Sequence, residues 1–318
     1  LPHQNRRDFI KKTALVGSII PFVNILNPLF ALENVSYDDK LSVHIFSKHL
    51  QFLDYKETGA MASEMGFNGV DLTVRPNGHV LPESVVLDLP KAITEIKEGG
   101  AVCKMITTSI GSVENPLDVQ ILNTASTLGI EYYRTNWFKF KKDLSLKESL
   151  NHYQNEIKKL GELNKKLGVV GCYQNHAGTS IGASFWEIHE MLKTVNPDYF
   201  GTQYDIRHAI VEGGFSWENG FQLLHPKIKT IVLKDFKWGK VNGQWKPINV
   251  PMGDGMVDFS KYFKLLKKHK LNPPVSLHLE YDLGGAEKGH SKISIDKKVV
   301  YDAMKRDLNT VQKLWQSA

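Results

Sequence analysis

The feature that most restricts this chain is an alternation. After residue 40, short strand-like runs are each followed by a stretch of helical pattern, and the pair recurs eight times. The strand-like runs are 41–46, 69–73, 101–107, 131–136, 169–176, 201–205, 230–234 and 275–281. The helical stretches begin near Lys56, Pro82, Asn115, Ser145, Ala183, Ser216, Phe259 and Ser294. Ser145 with Glu148 three residues on is a capping box, and Pro82 and Pro116 suit first helical turns. Alternating β and α units imply parallel strands joined by right-handed crossovers. Eight of them predict closure into one α/β domain, a (β/α)8 TIM barrel, which the 318 residues are long enough to build. No glycine fingerprint follows the first strand-like run, so a dinucleotide-binding sheet is disfavoured.

The first 32 residues read as a separate segment. Asn5-Arg6-Arg7-Asp8-Phe9-Ile10-Lys11-Lys12 precedes an apolar run that ends near Ala31. A twin arginine before an apolar region is the pattern of a twin-arginine export signal. The alternative is an uncleaved membrane anchor, which Pro21 and Pro28 weaken. Export predicts a periplasmic protein with residues 33–318 as its barrel, touching a membrane only through this signal. Half of the formal charge of +6 lies in this segment, so the barrel lacks the basic excess expected of a nucleic-acid binder. The lysines between 264 and 270 read as a solvated helix face. Cys103 and Cys172 sit in apolar runs with no CxxC, as two buried thiols would.

In such barrels, functional groups gather at the C-terminal ends of the strands. Strand side chains alternate in direction. Ser276, His278 and Glu280 therefore share one face, with Val275, Leu277 and Leu279 on the other. The same parity groups Cys172, Gln174 and His176; Gln203 and Asp205; Val232 and Lys234; and Asp71, Thr73 and Arg75, with His79 close beyond. Charges are rarely buried without partners. Either Glu280, Asp205 and Lys234 form a buried ion-pair network that only fills the barrel, or carboxylates and imidazoles converge on a metal or a polar substrate. By position, Arg75, His79, Arg134 and Lys234 are either substrate contacts or structural ion-pair partners, and His278 is an expected substrate contact. The longest irregular stretch, 236–258, follows the seventh strand and reads as a lid or binding loop. Its Trp238 and Trp245 either stack on a sugar ring or pack the loop down.

Several motifs resemble the sugar phosphate isomerase/epimerase group of xylose-isomerase-like TIM barrels, the AP endonuclease 2-like superfamily. They are Tyr173-Gln174-Asn175-His176-Ala177-Gly178-Thr179, Asp205-Ile206-Arg207-His208, Leu233-Lys234-Asp235-Phe236, Gly253-Asp254-Gly255 and His278-Leu279-Glu280-Tyr281. The resemblance spans roughly residues 40 to 315. It implies a divalent metal held by a Glu, an Asp, a His and a Glu on strands five to eight. Asp205 and Glu280 match two of these, and His208 matches a substrate-contacting histidine. Gln174 and Val232 depart from the other two. Gln174, His176, Asp205 and Glu280 are then the implied ligands of Mn, Zn or Fe. With one of the family's two opposed carboxylates lost, Glu280 is the expected single base. The enediolate oxygen would be stabilised by metal, or by Lys234 and a histidine. Three functions follow: a carbohydrate isomerase or epimerase, a lyase or hydrolase eliminating from keto-sugar glycosides, and a non-catalytic sugar-binding barrel. The endonuclease relatives are set aside by the export signal and the missing ligands. The sequence is silent on oligomeric state.

Overall fold

The computed structural model describes residues 40–318, so the expected export segment lies outside the described residues. Eight parallel strands close on one another: β1 (Val43–Phe46), β2 (Gly69–Val74), β3 (Val102–Thr108), β4 (Tyr132–Arg134), β5 (Val170–Gln174), β6 (Phe200–Asp205), β7 (Ile228–Leu233) and, after a hairpin, β10 (Val275–Leu277). Strand β10 pairs with both β7 and β1, which completes the cylinder. The expected (β/α)8 barrel is therefore present. Outward-facing Val70, Leu72, Ile231, Val275 and Leu277 are fully buried under the surrounding helices. The inward face carries many polar side chains, and those around Asp71 are bonded to one another. Ser276 donates to Asp71 at 2.6 Å, Thr107 donates to the same carboxylate at 3.1 Å, and His278 Nε2 lies 3.0 Å from the Ser276 hydroxyl. These bonds are what allow a barrel centre to hold a carboxylate.

The helices are α1 (Tyr55–Met65), α2 (Val85–Glu98), α3 (Pro116–Thr127), α4 (Leu146–Leu167), α5 (Phe185–Met191), α6 (Ile206–Gly213), α7 (Trp217–Leu224), α8 (Phe259–Lys268) and α9 (Lys297–Gln316). The Ser145–Glu148 capping box forms as expected at the start of α4. Pro82 instead opens a short 3₁₀ turn, Pro82–Ser84, and α2 starts after it. Helix α6 is not in the sequence reading. It follows β6 directly, with Asp205 as both the last strand residue and the helix cap. The strand-like runs at 131–136, 169–176 and 275–281 also overreach. Their polar ends, including His176, His278 and Glu280, leave the ladder to form the barrel rim.

The stretch 236–258 is not an irregular loop through its first half. Asp235–Val241 (β8) and Gln244–Val250 (β9) form an antiparallel hairpin. Its two-residue turn is Asn242-Gly243, with φ of +51° and +78°. Left-handed values at both positions suit the twist of a hairpin, and Asn-Gly is the dipeptide that adopts them at least cost. Asp235 pins the hairpin's base. Its carboxylate accepts amide protons from Phe236 (2.8 Å), Gly253 (3.0 Å), Gly255 (3.0 Å) and Val257 (3.2 Å). Gly255 has no room for a side chain, since a Cβ there would stand 2.2 Å from Asp235 Oδ1. Replacing Asp235 with Ala leaves those amides without their charged acceptor. The expected loss is about 2–4 kcal/mol of unfolding free energy, read by urea titration.

Candidate active site

The C-terminal strand ends open into a cavity of about 310 Å³, at the small end of the range for small-molecule sites. Five cationic side chains line it: Lys48, Arg75, Arg134, Arg207 and Lys234. Facing them are one carboxylate, Glu280, and the imidazoles of His176, His208 and His278.

The centre of the site is built at the β6–α6 junction. Asp205 is fully buried and caps α6 by accepting the His208 amide at 3.0 Å. That is why acid and histidine stand three residues apart: the N-cap carboxylate meets the backbone N–H of N3. In the sheet, Asp205 sits opposite Val232 of β7, and Lys234 follows two residues later on the same face. The Lys234 ammonium reaches Asp205 Oδ2 at 3.2 Å, and the Gln174 amide donates to the same oxygen at 2.8 Å. Burial alone would raise the Asp205 pKa, but Lys234 and then His208 hold it well below the usual carboxylate range.

His208 is ringed by donors. Its Nδ1 receives the Ala177 amide and the Arg207 guanidinium, both at 3.1 Å, and its Nε2 lies 2.9 Å from Lys234 Nζ. A neutral imidazole has one acceptor nitrogen. The neighbours therefore offer one proton more than the ring can take on its two nitrogens. Burial, reinforced by Lys234, keeps the ring uncharged, with its pKa well below the ordinary value. The surplus makes Lys234 a donor available to a substrate oxygen.

Glu280 follows β10, the strand paired with the β7 that leads to Lys234. Lys48 donates to its Oε1 at 3.0 Å, and His278 Nδ1 lies 3.5 Å away, too long for a full hydrogen bond. Burial would raise the Glu280 pKa, but Lys234, His278 and Lys48 together hold it well below the usual range. It is thus a stable anion and a weak base, suited only to a proton already made acidic by a neighbouring carbonyl. His278 stacks on Phe46 at 4.1 Å, and its burial brings the ring's pKa down to about 4.

Of the expected site residues, Gln174, His176, His208, Lys234, His278, Glu280, Arg75 and Arg134 line the cavity, and Asp205 lies beneath it. Three expected substrate contacts lie outside this cavity. His79 turns its ring toward Tyr55, 6.2 Å away, in a separate shallow cavity. The chain reverses at Gly78, so parity with Arg75 fails. Trp238 and Trp245 stand on the outer hairpin, 42% and 65% exposed, and neither lines the cavity. Asn249, at the base of the same hairpin opposite Phe236, lines the cavity instead, while the tryptophans stand further toward the turn. Sequence reasoning passed over Lys48, Phe46, Trp137, Arg207 and Asn249. Only Lys48 had a usable signal, lying two residues past the end of β1.

The implied metal-ligand set does not form as a shell. Gln174 gives its oxygen to Arg134 at 3.0 Å and its nitrogen to Asp205, while His176 Nδ1 turns to the Ala177 carbonyl at 2.9 Å. Asp205 and Glu280 are already partnered by ammonium groups. Among the described residues, no three His, Cys, Asp or Glu side chains are placed to hold a metal. A divalent ion here would have to displace Lys234 from Asp205, so the donor set does not fit one.

Removing Lys234 strands the Asp205 charge. Lys234→Met should cost about 3–5 kcal/mol of stability at neutral pH. In the wild type, the depressed Asp205 pKa contributes stability above its unfolded value of 3.8, lost as pH falls through the folded value. In the variant the buried carboxylate has no cation, and protonating it relieves the penalty. The deficit should therefore shrink between pH 7 and pH 5, measured by urea unfolding at both.

Comparison with known proteins agrees with this architecture. A curated inosose dehydratase of Clostridium botulinum (strain Alaska E43 / Type E3) is 26% identical over 173 residues, covering 46% of this chain and 56% of that protein. The chain thus matches just over half of that relative's length. Among solved structures, the 3-keto-D-glucoside 4-epimerase of E. coli superposes with a TM-score of 0.62 at 13% identity, over 85% of this chain and 100% of that one. A barrel protein from Mycobacterium smegmatis, solved in complex with magnesium, superposes at 0.60 with 10% identity, over 85% and 98%. At such identities these structures speak for the fold. The model of the family described as "Xylose isomerase-like TIM barrel" matches residues 60–296, and the chain belongs to that family.

Proposed function

We propose that this protein is a carbohydrate-acting enzyme that removes a proton from the carbon next to a sugar carbonyl. The single observation that carries this reading is that Glu280 and the Lys234–His208 pair line one cavity the size of a small sugar. Glu280 takes the proton. The electron pair left on carbon moves onto the carbonyl oxygen, which Lys234 meets with the proton that His208 cannot accept. Returning the proton to the neighbouring carbon gives an isomer; delivering a proton to the opposite face of the same carbon gives an epimer.

A second reading, elimination from a keto-sugar glycoside, is favoured by Gln174. Epimerisation needs a proton carrier on the far face of the sugar. Gln174 stands where that carboxylate is expected, and its amide is clamped between Arg134 and Asp205. Elimination needs only one base and a β-oxygen that departs with a proton. The twin-arginine segment supports a periplasmic location, where glycosides are more accessible than sugar phosphates.

The test is solvent-deuterium exchange into ketoses and 3-keto-glucosides, followed by product analysis. Glu280→Gln should slow exchange about 10²–10⁴-fold. Lys234→Met, where folded, should slow it about 10²–10³-fold. Purified protein should hold well under one metal per chain, and exchange should survive chelation. One metal per chain, with exchange lost on chelation, would transfer the oxygen-stabilising role from Lys234 to an ion. No exchange in any sugar leaves a binding protein.

A further inference from the structure

We propose that the sugar this site takes is acidic, and that its anionic group docks between Arg75 at the end of β2 and Arg134 at the end of β4. The inference rests on the carbohydrate reading above and names the substrate class within it.

The observation is an imbalance of charge within the cavity. Of its five cations, Lys234 is matched by Asp205 and Lys48 by Glu280. Arg207 is taken up by His208 and by Asn249 Oδ1 at 2.9 Å. Arg75 and Arg134 face the cavity without a carboxylate to bond. Arg134 is 5% exposed and spends its donors on neutral acceptors: Gln174 Oε1 at 3.0 Å and the Thr108 carbonyl at 3.4 Å. Its Nε is buried with no partner. Arg75 makes no side-chain hydrogen bond among the described residues. Its guanidinium rests instead over the Phe46 ring at 5.5 Å. The nearest carboxylate below them, Asp71, is committed to Ser276 and Thr107.

Two guanidiniums brought into one enclosed site repel each other. An oxyanion between them would remove the repulsion and supply the missing acceptor, with planar forks suited to carboxylate or phosphate. Both forks are also held in place in advance. Trp137 stacks on Arg134 at 4.2 Å and Phe46 underlies Arg75, so little side-chain freedom is lost on binding. A purely structural Arg134, present only to clamp Gln174, accounts neither for its orphaned Nε nor for an unbonded Arg75 beside it.

The test is calorimetric titration of the whole protein at low salt with four probes: D-glucuronate, D-glucose 6-phosphate, D-glucose and inorganic phosphate. At least one acidic sugar should bind about tenfold or more tightly than glucose, and the stronger of the two identifies the anion as carboxylate or phosphate. Arg75→Gln, at a half-buried position with no hydrogen bond from its side chain, should weaken the acidic sugar about tenfold or more beyond any effect on glucose. Acidic sugars that bind no tighter than glucose overturn the proposal. So does an Arg75→Gln variant that weakens acidic and neutral sugars alike, or inorganic phosphate that binds as tightly as the phosphosugar. Deuterium exchange separates this from the proposed function. Exchange in neutral ketoses without acidic preference sinks the anion subsite alone; tight acidic binding without exchange in any sugar sinks the proton transfer alone.

Discussion

The pairing of Lys234 with Asp205 is the contact on which the site depends. Both side chains are buried, and removing two charges from water costs more than their attraction returns in many proteins. The pair is therefore a poor means of stabilising a barrel. Its value is positional. Parallel pairing of β6 with β7 puts Asp205 opposite Val232, and one strand repeat further places Lys234 over the carboxylate. From there the same ammonium meets His208, depresses the Glu280 pKa, and faces the cavity. One positive charge thus acts on both carboxylates and, with burial, on the imidazole.

This arrangement is also the basis for the proposed chemistry beside a carbonyl. Glu280 is too well stabilised to be a strong base, so the substrate must supply an acidified carbon. Lys234 has a proton that its histidine neighbour cannot accommodate, and an oxygen gaining negative charge is the natural recipient. The metal that the family resemblance implies would compete for the place the ammonium holds. The departure of Gln174 and Val232 from the expected ligands agrees with that conflict: one has lost its charge, the other has no donor atom.

Much of the fold was legible because barrel strands are buried on both faces. They read as short apolar runs whose polar residues cluster at one end, and the helices between them announce their caps, as at Ser145 and Glu148. The site was partly legible for the same reason: alternation sorted Ser276, His278 and Glu280 onto the interior. Alternation fails where the strand ends. His79 lies beyond a turn at Gly78, where counting by two no longer holds. Helix α6 was hidden because Asp205 serves the strand and the helix at once, so an N-cap was read as strand. The Asn242-Gly243 turn was a readable hairpin signal within what looked like a loop, and missing it hid that Asn249 stands at the base while Trp238 and Trp245 stand toward the turn.

The sequence by itself determined the eight-fold βα alternation, the closed barrel it predicts, and the set of strand ends that carry acids and imidazoles. These are local properties, written in period and capping. What only the tertiary structure decided is which charge meets which. Lys234 against Asp205, Lys48 against Glu280, and Arg75 beside Arg134 without a carboxylate depend on strand register, burial and side-chain reach between distant segments. Electrostatic partnership falls off over a few ångströms in space, and sequence spacing holds no measure of that distance.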